Sequence, residues 1–160
     1  MSNLERTFIL FKPDSLERGV VGEILSRFER KGLVLSAMKL IHVSDEQINK
    51  HYEEHLGKPF LPGLIQYIQS GPVIAAVLSG KNAVDTVRKM LGATDPGKAD
   101  VGTIRGDFGQ DISRNLVHGS DSVASAEREI GIYFDASEVS SHLPSKIDWQ
   151  FESSPRTVKV

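Results

Sequence analysis

The chain contains no cysteine. Disulfides, thiolate nucleophiles and zinc–thiolate sites are therefore excluded, and the fold must hold by burial and hydrogen bonding alone. A length of 160 residues suffices for one compact domain with a real core. No long apolar run exists either. The longest, Val73 to Leu78, is far too short to cross a bilayer. The start, MSNLERTFIL, lacks a basic stretch followed by a long apolar one, so no signal peptide is expected. A net charge of −2 gives no global field that would recruit nucleic acid, and anion binding must come from a local cluster of Lys and Arg. The expectation is a cytoplasmic chain with no membrane contact and no dedicated nucleic-acid binding. Common phosphate and hydrolase signatures are missing too: there is no G-x-x-x-x-G-K-[ST], no G-x-G-x-x-G ahead of a helix, no H-E-x-x-H and no G-x-S-x-G.

What is present reads as alternating strands and helices. Thr7 to Lys12 is a short β-branched and aromatic run stopped by Pro13, the pattern of a buried strand. Val21, Ile24, Leu25 and Phe28 form a helical stripe, with Gly32 as its stop. Leu33 to Val43 reads as a second strand. Ser44-Asp-Glu-Gln47 is a capping box opening a helix whose face carries Ile48, Tyr52 and His55. Gly57, Pro59 and Pro62 break that pattern before a short helix through Leu64 and Ile68. Gly71-Pro72 punctuates the chain, Val73 to Leu78 is a third strand, and Val84, Val87 and Leu91 mark a helix capped by Gly92. Residues 92–115 carry five glycines and no clear period, so they read as a long functional loop. Asn115 to His118 is a fourth strand, and the last helix runs from about Ser122 to Ile132. The tail, about 135–160, with Pro144, Trp149 and Pro155, reads as irregular. One domain over residues 1–160 is expected. The order suits an α+β, ferredoxin-like sandwich: four antiparallel strands, helices on one face and a glycine-rich loop insertion. A parallel doubly wound sheet fits the order as well.

Chemistry concentrates in Arg114-Asn-Leu-Val-His-Gly-Ser-Asp-Ser122. His118 ends a short apolar strand. Gly119 lets the backbone come close, and Ser120, Asp121 and Ser122 are helix-capping types, so the imidazole falls near a helix N-terminus suited to phosphate oxygens. Ser122, Ser125 and Glu129 share one stripe. From there Glu129 can hold one ring nitrogen and leave the other as a nucleophile. On this string alone, a histidine at a strand end suits a plain turn as well. Lys12, Arg88, Arg105 and Arg114 would neutralise a polyphosphate if they converge, although most of the 19 Lys and Arg residues must be solvated. Phe60, in a Pro-Phe-Leu-Pro-Gly loop, can stack on a base of any kind or pin the loop as a staple. Tyr52 has a polar tip suited to a phosphate or to the histidine. His42, His51, His55 and His142 read as structural or surface residues.

Taken together, the strings ERTFILFKPD, RG-V-VGEI, HYEEH with KPF-LPGL, SGPV, GATDP, GTIRGDF and RNLVHGSDS resemble the nucleoside diphosphate kinase family across nearly the whole chain. The resemblance implies a ping-pong transfer of a γ-phosphoryl group from a nucleoside triphosphate to a nucleoside diphosphate, ATP and GTP among them, with broad base tolerance. His118 would become phosphohistidine and Glu129 would hold its ring. Lys12, Tyr52, Arg88, Thr94, Arg105 and Asn115 would contact phosphates or ribose. Phe60 would stack on the base, with Leu64 and Ile112 closing the slot, while Gly119 lies beside the nucleotide and Ser120 and Asp121 lend support. Mg2+ would arrive bridging the phosphates, with no protein cage of its own. A homo-hexamer is implied, a tetramer being the other assembly of the family. A catalytically silent nucleotide- or nucleic-acid-binding module of the same fold is the alternative. One departure concerns Ser15, where the family usually has glycine. If that position needs positive φ, serine costs about 1 kcal/mol. Lys98-Ala-Asp-Val101 and the tail also depart from the common pattern.

Overall fold

The computed structural model describes residues 4–152. Strand β1 (Glu5–Phe11) lies inside a four-stranded sheet whose order is β2-β3-β1-β4, with β2 Val34–Ile41, β3 Val73–Gly80 and β4 Val117–Gly119. Every neighbouring pair is antiparallel. This is the expected ferredoxin-like arrangement, and the doubly wound parallel sheet is excluded.

Helices cover both faces of the sheet rather than one. From β1, Phe8 and Leu10 enter a core with Ala75, Val77, Ile48, Leu61, Ile68, Ile130 and Tyr133. Ile9 and Phe11 enter the opposite core with Ala76, Leu78, Ile24, Phe28, Val87, Leu91 and Ile104. The first layer is thus made by α3 (Asp45–His51), α4 (Leu61–Ile68) and α7 (Val123–Tyr133). The second is made by α2 (Val21–Lys31), α5 (Ala83–Leu91) and α6 (Ile104–Phe108). The physical reason was present in the run TFILF. A strand wet on one face alternates, whereas this one is apolar at successive positions.

Local signals held where the chemistry is local. Ser44 and Gln47 form the capping box in both directions, at 3.0 and 3.1 Å. Gly32 ends α2 at φ 100°. Within residues 92–115, read from sequence as a long loop, the chain forms the short helix α6 and 3-10 turns at Pro96–Lys98 and Ile112–Arg114. Thr103 caps α6 by accepting from Gly106 N–H at 3.0 Å, and Asp95 and Asp111 accept from Gly97 and Ser113 in the same way. A Cβ on Gly106 would meet the Asp100 carbonyl oxygen at 2.0 Å, so the turn closes only around glycine. Side-chain-to-backbone bonds of this kind leave no hydrophobic period to read. Ser15 needs no left-handed backbone. It lies in the short helix α1 (Pro13–Glu17), buried, with Oγ donating to the Lys12 carbonyl at 2.7 Å.

The tail is irregular as expected, with short 3-10 turns at Ala136–Glu138 and Ser145–Trp149. Ile147, Leu143 and Phe151 pack with Leu4 and Val34, which ties it to the sheet. Residues 1–3 and 153–160, including Pro155, lie outside the described residues.

Phe8 is fully buried and stacks on Tyr133, with centroids 4.8 Å apart. Truncating it leaves a cavity beneath α7. Phe8→Ala is expected to cost about 3–5 kcal/mol of stability, read as a lowered midpoint in urea denaturation.

Candidate active site around His118

The sheet register aims His118. In the pairing of β1 with β4 it stands opposite Leu10, which belongs to the α3/α4/α7 layer. Its neighbour Val117 points into the other core. One residue earlier the chain makes a tight turn: Leu116 has φ 75° and the Val117 N–H donates to the Asn115 carbonyl at 2.9 Å. Such a γ-turn is strained for a branched side chain. It is held by the fully buried Leu116 side chain, by Lys12 N–H donating to Leu116 O at 2.8 Å, and by Asp14, which accepts from Leu116 N–H at 3.2 Å. Tyr67 donates in turn to Asp14.

Under the imidazole lies Glu129, the inward residue of α7, with a side chain only 3% exposed. His118 Nε2 contacts its Oε1 directly, and His51 Nε2 reaches the same oxygen at 3.1 Å. The two Nε2 atoms are 3.2 Å apart. His51 Nδ1 lies 2.8 Å from the Tyr133 hydroxyl. Burial alone would raise the Glu129 carboxyl, but hydrogen bonds from His118 and His51 outweigh it and bring the group down to about 2. It is therefore ionised and can only accept. Both imidazoles must present Nε2–H to it, and Tyr133, whose phenol is pushed upward by burial, donates its proton to His51 Nδ1. Burial lowers His118 to about 4, against the pull of Glu129. Near neutral pH the ring is neutral, with its proton on Nε2 and a free lone pair on Nδ1. His51, read from sequence as structural or surface, is buried as a structural residue is, yet it shares the carboxylate of His118. Sixty-seven residues separate the two histidines, and no local pattern links them.

The cations gather unequally. Lys12 is buried and donates to Asn115 Oδ1 at 2.7 Å, and Asn115 Nδ2 donates to the Thr94 carbonyl at 3.0 Å. Desolvation and the neighbouring Arg105 charge lower Lys12 to about 8. Arg105 is buried too, donating to the carbonyls of Gly92, Asn115 and Val117 at 3.1, 3.3 and 2.6 Å. It stitches the glycine-rich segment to β4 as well as supplying charge. Arg88, on α5, is largely exposed and donates to Gly119 O at 3.4 Å. Arg114 lies over the Tyr67 ring at 4.3 Å, the same ring that Lys12 Nζ approaches at 5.9 Å.

A row of rings leads outward from His118. His51 meets it edge-on at 4.6 Å, Tyr52 stacks on His51 at 4.4 Å, His55 follows at 6.2 Å, and Phe60 closes the row at 5.5 Å from His55. Phe60 is 53% exposed, so it is no staple beneath its loop. Ile112 is exposed as well, whereas Leu64 packs against the core. Gly119 has a packing reason: a Cβ there would meet Leu91 at 2.8 Å and Val87 at 3.3 Å. Ser120 is buried, its N–H donating to Phe8 O at 3.1 Å, while Asp121 is exposed beside Arg88 in a shallow cleft at the start of α7.

A family model described as nucleoside diphosphate kinase matches residues 5–139. A nucleoside diphosphate kinase of Archaeoglobus fulgidus is 51% identical over 149 residues, covering 93% of this chain and 99% of that one. Nucleoside diphosphate kinase B of Rattus norvegicus is 51% identical over 152 residues, covering 95% and 100%. Among solved structures, a halophilic nucleoside diphosphate kinase from Halobacterium salinarum in complex with CDP superposes with a TM-score of 0.90 at 44% identity, covering 92% of this chain and 98% of that one.

The proton placement can be read directly. In 15N-labelled protein at pH 7, His118 is expected to show a protonated Nε2 and an unprotonated Nδ1, and to gain its second proton only near pH 4. Titration near 6.5 would show that the ring is not desolvated by its surroundings.

Proposed function

The chain belongs to the nucleoside diphosphate kinase family and is a kinase that moves the terminal phosphoryl group from a nucleoside triphosphate to a nucleoside diphosphate, and we propose that the transfer runs through a phosphohistidine at His118. The observation that carries this route is the pinning of His118 Nε2 by Glu129, which leaves Nδ1 as the only nitrogen with a free lone pair. Nδ1 attacks the γ-phosphorus of the donor, the bond to the bridging oxygen breaks, and the diphosphate leaves with that electron pair. As the ring acquires positive charge, the Glu129 carboxylate stabilises it through Nε2–H. In the second half-reaction a terminal oxygen of the acceptor diphosphate attacks the same phosphorus and the N–P bond breaks, returning the lone pair to Nδ1. Little covalent work falls to the protein beyond alignment and charge neutralisation.

Lys12, Arg88 and Arg105 supply the neutralising charge, and Asn115 holds Lys12 in place. Tyr52 and Thr94 line the phosphate and ribose path, with Ser120 and Asp121 in support and Gly119 holding β4 against α5. Phe60, at the far end of the ring row, stacks on the base with Leu64 and Ile112 beside it. Because an aromatic face accepts any base, adenine and guanine nucleotides should serve alike. Kinases of this family need a divalent cation, and we assign Mg2+. The one group of metal-type ligands among the described residues is rich in imidazole, which suits a hard ion poorly. Mg2+ would therefore come carried on the nucleotide's phosphates and would supply further neutralisation of their charge beside Lys12, Arg88 and Arg105.

We further read residues 1–160 as one cytoplasmic domain that works as a homo-oligomer, a hexamer by family likeness. No helix among the described residues is long and apolar enough to cross a membrane. Strand β2 is an edge of the sheet and carries the exposed Met38 and Leu40 on one face, a template for pairing with a second copy. Val101 and Trp149, over 90% exposed, are further apolar contacts awaiting cover. Light scattering measures the assembly.

Incubation of the pure chain with ATP and Mg2+, without acceptor, should add one acid-labile phosphoryl group to the intact mass. That group should be absent in His118→Ala and should be removed by GDP with release of GTP. No gain in mass would sink the covalent route. Glu129→Gln, which keeps the shape but loses the charge, should slow transfer about 10²–10³-fold. The pH–rate profile should be flat between about 4 and 8. Below that window His118 is protonated, and above it Lys12 loses its charge. Lys12 sits below its ordinary value of 10.5, so a bound polyphosphate, which favours the charged form, should draw in protons near pH 8 and above. Calorimetry of ADP binding in buffers of different ionisation enthalpy would detect that uptake.

A further inference from the structure

His51, His118 and Glu129 each place one metal-type donor atom within 4.8 Å of the other two. We propose that this trio is a second metal site, selective for a zinc-class divalent ion, and that filling it switches the phosphoryl transfer off. The regulatory consequence rests on His118 acting as the nucleophile; the coordination does not.

The geometry is close to what such an ion needs. Tetrahedral zinc with bonds of roughly 2.0–2.2 Å spaces its ligands about 3.3 Å apart. His51 Nε2 lies 3.1 Å from Glu129 Oε1 and 3.2 Å from His118 Nε2. Only the short contact between His118 and Glu129 must open. Two imidazoles and one carboxylate make a known open-site donor set for zinc, and imidazole disfavours Mg2+. His51 and Glu129 are 2% and 3% exposed in their side chains while His118 is 22% exposed, so access and a fourth ligand come from the His118 side. The Tyr133 hydroxyl on His51 Nδ1 is a ready outer partner that fixes the ring. Without cysteine, the chain offers no thiolate to compete for the ion. The charge of Lys12, felt at His118, opposes an added cation and keeps the affinity below that of a structural zinc site.

Inhibition follows from proton placement. A neutral imidazole bound to metal through Nε2 carries its proton on Nδ1. His118 would thereby lose the lone pair that attacks phosphorus. In His51 the proton likewise moves to Nδ1 and is donated to the Tyr133 oxygen. Two protons change nitrogen and none leaves the site.

The 160-residue chain, freed of metal and without nucleotide, would be titrated with CoCl2. One equivalent should give the visible absorption of four-coordinate Co2+, and ZnSO4 should displace it. His51→Gln and His118→Gln should each abolish the band and weaken Zn2+ by more than the roughly 10–100-fold expected from loss of an outer partner. His42→Gln, at an exposed residue outside the site, should keep both. ZnSO4 should inhibit transfer by the parent chain at saturating Mg2+ and nucleotide, but leave the residual rate of His51→Gln unaffected. A folded parent chain without the band at one equivalent overturns the site, as does a band that survives in His118→Gln. If His51→Gln fails to fold, His118→Gln, altered at the more exposed ring, carries the comparison. The Co2+ readout needs no turnover. A chain that binds Co2+ but forms no phosphohistidine would overturn the kinase route alone, and one that forms phosphohistidine without the band would overturn this site alone.

Discussion

Glu129 is an ionised carboxylate almost wholly removed from water, and a buried charge of that kind survives only with donors on it. Two imidazole N–H groups meet the requirement, and meeting it fixes much else. It sets the tautomer of His118 and therefore which nitrogen keeps a free lone pair. It orients His51, which engages Tyr133 at the C-terminal end of α7. It also explains why Phe8, Tyr133 and His51 pack as one block beneath the strand that carries His118. The tautomer of His118 and the packing of the α7 layer thus share one electrostatic origin.

The cationic side works by the opposite logic. Lys12 and Arg105 are buried, and among the described residues no carboxylate forms an ion pair with either, although Asp14 acts on Lys12 at longer range. Their hydrogen bonds go to an amide oxygen and to backbone carbonyls. Such groups are costly to bury without a counter-anion. Under the proposed function a bound polyphosphate would release that penalty, and folding has already oriented the groups for it. Arg105 carries the further duty of joining residues 92–115 to β4, so charge and loop geometry cannot be varied separately there.

Much of this was legible in the chain itself, and the reasons are particular. The capping box at Ser44, the αL stop at Gly32 and the unbroken apolar run of β1 are local effects, which short strings report. That run also encoded a sheet covered on both faces, although the element order alone suggested one. The segment around Gly106 was opaque because its order comes from single side-chain-to-backbone bonds and one steric fit. His118 and Glu129 could be paired through a helical stripe and the family likeness. His51 could not, since its meeting with them depends on how α3 docks beside α7 on the same face of the sheet. Lys12 stood out among the cations and Asn115 only through the likeness, and their direct contact, across 103 residues, came from the fold.

The turn at Leu116 has a bearing on how this chain can change over time. Its backbone favours glycine, yet its side chain fills the core beside Val117. Replacement by glycine would ease the dihedral but hollow the core, while other apolar residues would keep the core and the strain. Either route disturbs the strand that presents the imidazole. The position is thus trapped between two local optima, and improvements in robustness must come from elsewhere in the molecule.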